Sequence, residues 1–395
     1  MQPSTAYRPA APDSRGRVLW PIAIAMAIRF TLWWLLPTTR LASDEDGYVP
    51  AGLTLAATGQ QDLFWPPVTG WLVAAIATAF GTSAIQWIRL AWIAMDLACL
   101  LLLGRLARRV APTVSGSDAG RADRFVTAVL LAYAIYLPAI AFSQFATSEI
   151  PALLQLLLLL TFVLHRTPSM ARSIAAGLVG GTLILTRPSL LPVAMLVPIA
   201  LALRWPKREW LRHATVMLIL TAGVVGALVV RNWRQFGEPT IATNSAYNLY
   251  IGNRDLYAED LNLFDPRATP EQVEFRRQYF DGTLPAPVGT PAELQREAVT
   301  SITQHPGLFL RRAIGRLARV FVPKTDVLEL LGGESRAGVF AASSLALLAI
   351  ANLQWAIVLF AGLAGLAWWW RSDRPTGALL LSVVLGSLPL CLIAI

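Results

Sequence analysis

Long runs of apolar residues recur along the whole chain and constrain its fold more than any other feature of the sequence. A helix that crosses the hydrocarbon core of a membrane needs roughly 20 predominantly apolar residues. The composition agrees, because 55% of the 395 residues are hydrophobic and 14% are charged, whereas soluble domains average about 25% charged residues. The sequence therefore predicts an all-α polytopic membrane protein with nine spans, at 18–37, 85–104, 125–142, 148–164, 173–187, 189–203, 213–230, 350–370 and 376–394.

The distribution of basic residues predicts the orientation of these spans. Lysines and arginines resist translocation, so the side on which they cluster is expected to be cytoplasmic. They cluster in the first 17 residues and in alternate loops, near 105–124, 166–172, 204–212 and 371–374. The chain then divides into a cytoplasmic tail (1–17), a transmembrane module (18–231) with a first external loop (38–84), an irregular external region (232–336) and C-terminal transmembrane helices (337–395).

Two external segments carry helical patterns. Residues 66–81 are as apolar as a span, but a crossing there would place Arg109 outside, against the charge rule. We therefore expect a helix from Pro67 to Phe80 at the outer membrane surface, after a shorter helix from Pro50 to Ala57. Near the end of the external region, apolar and basic residues occupy separate helical faces, as in an interfacial helix or, alternatively, a solvated basic face. The apolar face comprises Leu310, Ile314, Leu317 and Phe321, and the basic face comprises Arg312, Arg316 and Arg319.

Acidic residues are scarce, and two groups of them lie at the predicted external ends of spans. Asp44, Glu45 and Asp46 follow the first span, and because Pro50 suits the first turn of a helix, these acids are expected on irregular backbone before it. Glu149 stands alone before the fourth span. Pro151 can occupy the first turn of that helix and so places Glu149 at or near its N-terminus, where the helix dipole favours a carboxylate. Both groups have a simpler interpretation, as residues that end a span or cap a helix. Their common depth and face favour a shared site.

Three arginines lie at the same predicted depth as these acids: Arg89 begins the second span, Arg187 ends the fifth and Arg231 ends the seventh. Arginine binds phosphate through a planar fork of donors, so arginines beside carboxylates suggest a phosphorylated lipid headgroup as ligand. The alternative for each one alone is an anchor that reaches the membrane interface.

The remaining polar residues of the spans are expected to be structural. Arg29 and Asp96 lie near the middle of the first and second spans, and because an isolated charge inside a membrane is costly, we expect them to form an ion pair. The two cysteines, Cys99 and Cys391, lie in apolar runs, which argues against a disulfide framework or a thiol metal site. The histidines are scattered, at His165, His213 and His305, so a histidine metal cluster is not expected.

Several short motifs occur in an order that resembles a known family. An acidic DExxY box contains Asp44, Glu45 and Tyr48. It is followed by a Pro-Pro pair at residues 66–67, an Arg-Leu pair at residues 89–90, the lone Glu149, the Thr-Arg-Pro turn at residues 186–188, and the stretch RNWRQFGEPTIATNSAYNLYIGNRD at residues 231–255. Over roughly residues 18–325, the chain resembles bacterial membrane glycosyltransferases of the C-type (GT-C) fold. These are related to protein O-mannosyltransferases, the lipid A aminoarabinose transferase and lipopolysaccharide-core sugar transferases.

The resemblance implies that the 18–231 module is catalytic and moves a sugar from a polyprenyl-phosphate carrier to a glycan, lipid or protein acceptor, with no role for nucleic acid. It also implies a multi-pass protein of the bacterial cytoplasmic (inner) membrane with an external, periplasmic active site. The family's catalytic acids correspond to Asp44 and Glu149. We expect Asp44 to be the general base of an inverting reaction and Glu45 its closest substitute. The expected binding residues are Tyr48, Arg89, Arg187, Arg231, Asn244, Tyr247, Asn248 and Asn253.

Two features of the chain depart from the family pattern. Trp65 occupies the position before the Pro-Pro pair, where the aminoarabinose transferases have a lysine, and the sequence stops after the ninth predicted span. No cofactor is firmly implied. The carboxylates are of the kind that Mg²⁺ or Mn²⁺ prefers, so a divalent metal stays an open alternative.

Two other classes of function are compatible with parts of the sequence. A transporter or lipid flippase would need internal repeats and charges at the middle of the membrane, and the Arg29 and Asp96 pair is all that fits this. An O-antigen polymerase or ligase also combines a long external loop with arginines, but it would not require acids in the first loop.

Overall fold

All regular structure in the described part of the chain is helical. The structure is a computed structural model, and it describes residues 13–36, 41, 44–81, 84–115, 118–165, 167–253, 289–319 and 344–393. The helices are α1 (Asp13–Leu35), α2 (Glu45–Thr58), α3 (Pro67–Phe80), α4 (Ile85–Ser115), α5 (Ala119–Ala134), α6 (Leu137–Phe142), α7 (Glu149–Val163), α8 (Met170–Thr186), α9 (Leu191–Ala200), α10 (Lys207–Phe236), α11 (Asn244–Asn253), α12 (Pro291–Gln304), α13 (Pro306–Arg319), α14 (Ser344–Ser372) and α15 (Arg374–Ile393).

Four of these helices contain segments that are long and apolar enough to cross a membrane. They are Val18–Leu35, Ile85–Thr113, Lys207–Phe236 and Ala346–Ser372, and shorter apolar helices lie at Pro67–Phe80, Glu149–Val163, Met170–Thr186 and Pro188–Leu203. The prediction of an all-α polytopic membrane protein is confirmed. The count of nine spans stays a prediction.

The predicted span 125–142 is wrong as a single helix, because α5 ends at Ala134 and α6 starts at Leu137. Pro138 causes the break, since its ring has no N–H to donate to the carbonyl four residues earlier. The exposed backbone groups of the break are satisfied by Gln354 of α14, which accepts from Leu137 N at 2.8 Å and donates to Ile135 O at 2.8 Å. The Gln354 side chain therefore attaches α14 to the bundle at this break.

The predicted span 189–203 is also interrupted, since α9 covers its centre and short 3-10 turns (Pro188–Leu190 and Leu201–Leu203) flank it. Other spans extend beyond their predicted ends: α4 continues to Ser115 and α10 runs from Lys207 to Phe236. These helices continue past the apolar core because hydropathy marks the membrane thickness and not the helix ends.

The predicted ion pair between Arg29 and Asp96 is confirmed, and both side chains are fully buried. Asp96 also accepts a hydrogen bond from the Tyr133 hydroxyl at 2.6 Å, and Arg29 donates to the carbonyl of Ala134 at 2.9 Å. That carbonyl is the one that Pro138 leaves without its helical donor. The pair thus connects α1, α4 and α5 and compensates for the interruption after α5.

The centre of the bundle is formed by α4, α7, α8, α9 and α10. Close packing of α8 against α10 depends on glycine: a Cβ at Gly181 would lie 2.6 Å from Val224 Cβ. Small residues at such contacts allow helix backbones to approach, which is a main source of helix association in membranes. This core fixes the ends of α7 and α8 relative to each other.

Two helix pairs lie outside the bundle core. The helix α3 has the predicted bounds, Pro67–Phe80, and packs against α2. The helix α11 packs against α12 through Tyr250, Ile251, Leu294 and Ala298.

In α13, Leu310 and Ile314 are both 60% exposed, as expected of an apolar face that contacts a membrane. On the predicted basic face, Arg312 and Arg316 are half-buried, and Arg316 donates a hydrogen bond to the carbonyl of Gly252. The remaining predicted residues, Leu317, Arg319 and Phe321, lie outside the residues whose side chains are described.

Candidate functional site

The acidic box belongs mostly to a helix, which corrects the prediction of irregular backbone. The helix α2 begins at Glu45 and contains Pro50 in its interior, while Asp44 is the residue before the first turn. The carbonyl of Asp44 accepts hydrogen bonds from Gly47 N at 3.1 Å and Tyr48 N at 3.0 Å. Pro50 lies in the second turn, where its missing N–H leaves the carbonyl of the exposed Asp46 without a helical donor. Helical rotation then exposes Asp44 and Asp46 and buries Glu45 and Tyr48.

Glu45 is fully buried and forms an ion pair with Arg89 of α4. Its Oε2 accepts from Arg89 Nη2 at 2.8 Å, and its Oε1 accepts from Arg89 Nε at 3.2 Å. The same Oε1 accepts from the backbone N–H of Ala146 at 3.0 Å. Both carboxylate oxygens are thus engaged, and this geometry ties the start of α2 to α4 and to the segment before α7.

That segment, residues 143–148, is non-helical and buried, so its polar groups must find partners inside the protein. Besides the Glu45 contact, the carbonyl of Thr147 accepts from Trp92 Nε1 at 2.8 Å. The guanidinium of Arg89 lies 4.9 Å from the centre of the Phe145 ring, in a cation–π contact. Glu45, Arg89 and Trp92 therefore hold the backbone that leads directly into Glu149.

Glu149 is the first residue of α7, as predicted from its position before Pro151. Its Oε1 accepts a hydrogen bond from Nη1 of Arg187 at 2.7 Å, which connects the start of α7 to the end of α8. The side chain of Glu149 is 26% exposed and that of Arg187 is 37% exposed, so solvent reaches this pair, whereas the Glu45–Arg89 pair is buried. The second oxygen of Glu149, Oε2, is buried and has no hydrogen-bond partner among the described residues. A ligand hydroxyl can satisfy that oxygen.

Tyr48 lies near Asp44 and also near the Glu149–Arg187 pair. Burial raises the pKa of its phenol well above the usual range, and the hydrogen bond with the Ser148 side chain acts in the opposite direction. Among the neighbouring charges, the carboxylates of Asp44 and Glu149 raise the pKa of the phenol further, and Arg187 lowers it. The Tyr48 hydroxyl therefore stays protonated at neutral pH and can donate a hydrogen bond. Asp44, Tyr48, Glu149 and Arg187 together form the candidate site.

Arg231 is connected to the first external loop. It donates a hydrogen bond to the side chain of Gln61, which precedes the Pro-Pro pair. The same loop pairs with the chain after α10 through its backbone: Thr243 N donates to Leu63 O at 2.9 Å, and Asn244 N donates to Phe64 O at 3.0 Å. The loop thus holds the end of α10 and the start of α11 next to α2 and α3.

A chain of aromatic contacts runs from the candidate site to α11. The rings of Tyr48 and Trp65 are 4.7 Å apart, those of Trp65 and Phe64 are 5.1 Å apart, and those of Phe64 and Tyr247 are 5.7 Å apart. Trp65, directly before the Pro-Pro pair, therefore packs between Tyr48 and Phe64. Tyr247 lies within three ring contacts of the site.

The asparagines of α11 differ in their surroundings. Asn248 is exposed, Asn244 is half-buried, and Asn253 is buried. The side chain of Asn253 donates to Leu249 O at 2.8 Å within its own helix, and the backbone carbonyl of Asn253 accepts from the Ser301 hydroxyl of α12 at 2.8 Å. The contact with Ser301 attaches the end of α11 to α12. A role of these asparagines in binding stays a prediction.

The described residues do not fit a divalent metal at this site. No group of three or more Asp, Glu, His or Cys side chains in this part of the chain is arranged to hold an ion. Glu45 is engaged by Arg89, and one oxygen of Glu149 is engaged by Arg187. The cationic groups beside these two carboxylates are the guanidinium groups of Arg89 and Arg187.

The sequence reasoning missed three contributors to the site: Ser148, Gln61 and Phe145. Ser148 contacts the Tyr48 phenol, Gln61 binds Arg231, and Phe145 underlies Arg89. A signal for Ser148 was present, because it stands directly before an acid that starts a helix. Gln61 and Phe145 act through tertiary contacts that the sequence pattern does not encode.

Comparisons with known proteins identify one structural likeness for this fold. No protein-family profile matches the chain, and no curated protein matches it significantly. Among solved structures, the chain is similar to ArnT from Cupriavidus metallidurans bound to undecaprenyl phosphate, with a TM-score of 0.42 and 17% sequence identity. The alignment covers 95% of this chain and 77% of that one. A likeness at this level assigns no catalytic residue or substrate, both of which depend on the geometry of the site itself.

Proposed function

We propose that the protein is a membrane glycosyltransferase that moves a sugar from a polyprenyl-phosphate carrier to a hydroxyl of a glycan, lipid or protein acceptor. The observation that carries this proposal is the convergence of Asp44, Tyr48, Glu149 and Arg187, with the second oxygen of Glu149 left for a ligand. A carboxylate can take the proton of an acceptor hydroxyl, and a guanidinium and a neutral hydroxyl can donate hydrogen bonds to a leaving phosphate. The motif resemblance of residues 44–255 independently suggests the same chemistry.

In the proposed reaction, the oxygen of the acceptor hydroxyl attacks the anomeric carbon on the face opposite the phosphate. The new carbon–oxygen bond forms as the bond to the phosphate oxygen breaks, and the phosphate leaves with the bonding electron pair. The proton of the acceptor hydroxyl passes to the carboxylate of Asp44, whose exposed position suits a group that must reach the acceptor. A single displacement inverts the configuration at the anomeric carbon.

Arg187 is proposed to stabilise the charge that develops on the leaving phosphate. One of its amino groups is held by Glu149, and this contact orients the rest of the planar fork of donors. The protonated Tyr48 hydroxyl is a second donor close by. Glu149 then has two roles: its Oε1 orients Arg187, and its buried Oε2 accepts a hydrogen bond from a hydroxyl of the bound sugar or acceptor.

We assign Glu45 and Arg89 to positioning, although Glu45 was the closest alternative to Asp44 as base. Proton transfer needs an accessible carboxylate, whereas Glu45 is fully buried and both its oxygens accept hydrogen bonds. Arg89 is 3% exposed and so cannot meet a phosphate without leaving Glu45. The pair acts on catalysis through the 143–148 segment that carries Ser148 and Glu149.

The proposed reaction takes place on the external, periplasmic side of a bacterial cytoplasmic membrane. The support is the charge distribution: the basic loops lie at the opposite ends of the helices from the acidic box. The sugar is a hexose or a pentose. The fully buried Arg29–Asp96 pair, whose contacts go to Tyr133 and Ala134, does not support a transporter, which would require charges that line a path.

The test is sugar transfer by purified wild type and two variants, with a polyprenyl-phosphate sugar as donor. Asp44→Asn is expected to lower the rate of transfer at least 100-fold while leaving donor binding nearly unchanged. Asp46→Asn is the matched control, because Asp46 is an exposed acid two residues away, and this variant is expected to keep wild-type activity. Equal rates for Asp44→Asn and wild type would refute the assignment of the base. Transport of a polyprenyl-linked sugar without transfer would refute the enzyme itself.

A further inference from the structure

A cavity lies at the opposite end of the helix bundle from the candidate site. Its volume is about 380 Å³, which is in the range of small-ligand sites. It opens where α4 and α7 end, whereas the candidate site lies where they begin. Arg89 and Arg109 mark the two levels on α4, about 30 Å apart at 1.5 Å per residue. The cavity is lined by Arg109, Val110, Thr113, Leu164, His165, Thr167, Arg204, Trp369, Asp373 and Thr376.

The cavity wall carries two arginines whose guanidinium groups donate hydrogen bonds to neutral acceptors. Arg109 donates to the carbonyl of Thr161 at 2.6 Å. Arg204 donates to the carbonyl of His165 at 3.1 Å and to the hydroxyl of Thr376 at 3.0 Å. These hydrogen bonds orient both guanidinium groups in the wall.

One acid, Asp373, lines the same wall, and its carboxylate is directed to the start of α15. Its Oδ2 accepts from the Thr376 hydroxyl at 2.7 Å, and its Oδ1 accepts from Thr376 N at 3.3 Å. The lining therefore holds two arginines against one carboxylate, and that carboxylate caps a helix. This balance favours an anion in the cavity.

His165 reports the positive potential of the cavity. Partial burial lowers the pKa of its imidazole below the usual value, and the nearby charges of Arg109, Arg172 and Arg204 lower it further. A bound anion would oppose these cations and raise the pKa of the imidazole again. His165 thus lines the cavity, and the pKa of its imidazole is expected to change when an anion binds there.

We propose that this cavity binds a phosphate group, which Arg109 and Arg204 contact from two sides. Arginine forks match phosphate oxygens in geometry and charge. Two sources present that group at this level: the headgroup of an anionic lipid in the adjacent leaflet and free phosphate in solution. Basic pockets between transmembrane helices commonly bind lipid headgroups, and Trp369 in the wall is the residue type found at the membrane interface. The site is independent of the proposed transferase chemistry.

The test is a titration of His165 by NMR in the full-length protein, with labelled histidine and nanodiscs of defined lipid. The chain has three histidines, and a His165→Gln variant assigns the signal. One sample contains phosphatidylcholine alone, a second adds phosphatidylglycerol, and a third adds inorganic phosphate to phosphatidylcholine. We expect the midpoint of the His165 titration to rise by about one pH unit in the second or third sample. A rise with phosphatidylglycerol alone identifies a lipid headgroup, and a rise with both identifies a site open to free phosphate.

Two variants separate binding from the general surface potential of an anionic membrane. Arg109→Gln removes a cavity arginine and is expected to abolish most of the rise. Arg208→Gln removes an exposed arginine outside the cavity lining, at the start of α10, and is expected to leave the rise intact. A second cavity variant, Thr113→Glu, places a carboxylate on the wall and is expected to block the response to phosphate. The proposal is overturned by an unchanged titration in all samples, or by the same rise in Arg109→Gln as in Arg208→Gln.

Discussion

Replacing Arg89 with glutamine tests whether the Glu45–Arg89 pair positions the site. Glu45 accepts three hydrogen bonds, two from Arg89 and one from the backbone N–H of Ala146. The substitution removes the two from Arg89 and leaves the carboxylate buried. A carboxylate that loses its cation in such a place has neither water nor a counter-charge. Arg89→Gln is therefore expected to weaken the structure far more than the loss of an ordinary surface arginine.

The expected magnitude follows from the burial of both partners. Their side chains are 3% and 0% exposed, and removing one member of a buried pair typically costs about 3–5 kcal/mol. The cation–π contact between Arg89 and Phe145 disappears as well, which adds roughly 0.5–2 kcal/mol. We expect the total loss of unfolding free energy to lie near the upper part of the range for the buried pair.

Stability is measured by reversible unfolding in mixed micelles, with tryptophan fluorescence as the signal. Arg121→Gln is the matched control, because Arg121 forms an exposed ion pair with Asp118, with side chains 72% and 49% exposed. Exposed pairs contribute roughly 1 kcal/mol or less. A loss in Arg89→Gln that does not exceed the loss in Arg121→Gln would refute the reasoning.

A double variant separates positioning from proton transfer. Glu45→Gln combined with Arg89→Met removes both charges, keeps an acceptor for the Ala146 N–H, and fills the space of the arginine side chain. Replacing a buried pair in this way is often close to neutral, so we expect most of the stability and most of the sugar transfer to return. If Glu45 were the base, the double variant would be inactive while folded.

Three further predictions concern single residues. Burial raises the pKa of Tyr48 above its value in the unfolded chain, so the folded state keeps this proton more tightly and stability is lost as pH rises above about 10; Tyr48→Phe is expected to reduce that loss in an alkaline unfolding series. A Cβ at Gly52 would lie 2.5 Å from Val73 Cγ1, so Gly52→Ala is expected to cost about 1–3 kcal/mol in denaturant unfolding, whereas Gly70→Ala, which meets open space, is not. Arg187→Lys keeps the charge but loses the planar fork, and a roughly tenfold weaker donor affinity is expected in a binding titration.

The parts of the fold that were predictable are those where the physics is local. A charge inside a membrane needs a partner, and this rule found the Arg29–Asp96 pair. Proline in the first turn predicted that α7 begins at Glu149, and the two bounds of α3 were predicted from its apolar run after Pro66. In each case, a few neighbouring residues determine the result.

The parts that were not predictable depend on contacts between distant segments. Pro138 is a local signal for the interruption after α5, but the interruption is stable because Gln354, more than 200 residues away, binds the free backbone groups. The start of α2 at Glu45 depends on Arg89 and Ala146, which hold the first helical side chain in place. Because these contacts exist only after the bundle has formed, local propensity and the position of Pro50 gave the wrong helix start.

The helical start of α2 is what separates the roles of two adjacent acids. On irregular backbone, Asp44 and Glu45 would be equivalent, and either could take a proton. With the helix starting at Glu45, its side chain points into the protein, where Arg89 neutralises it, while Asp44 stays at the exposed edge beside Tyr48. A buried, paired carboxylate has no access to an acceptor hydroxyl, whereas one at the edge does. The proposed division between a base and a positioning residue therefore follows from one residue of helix register.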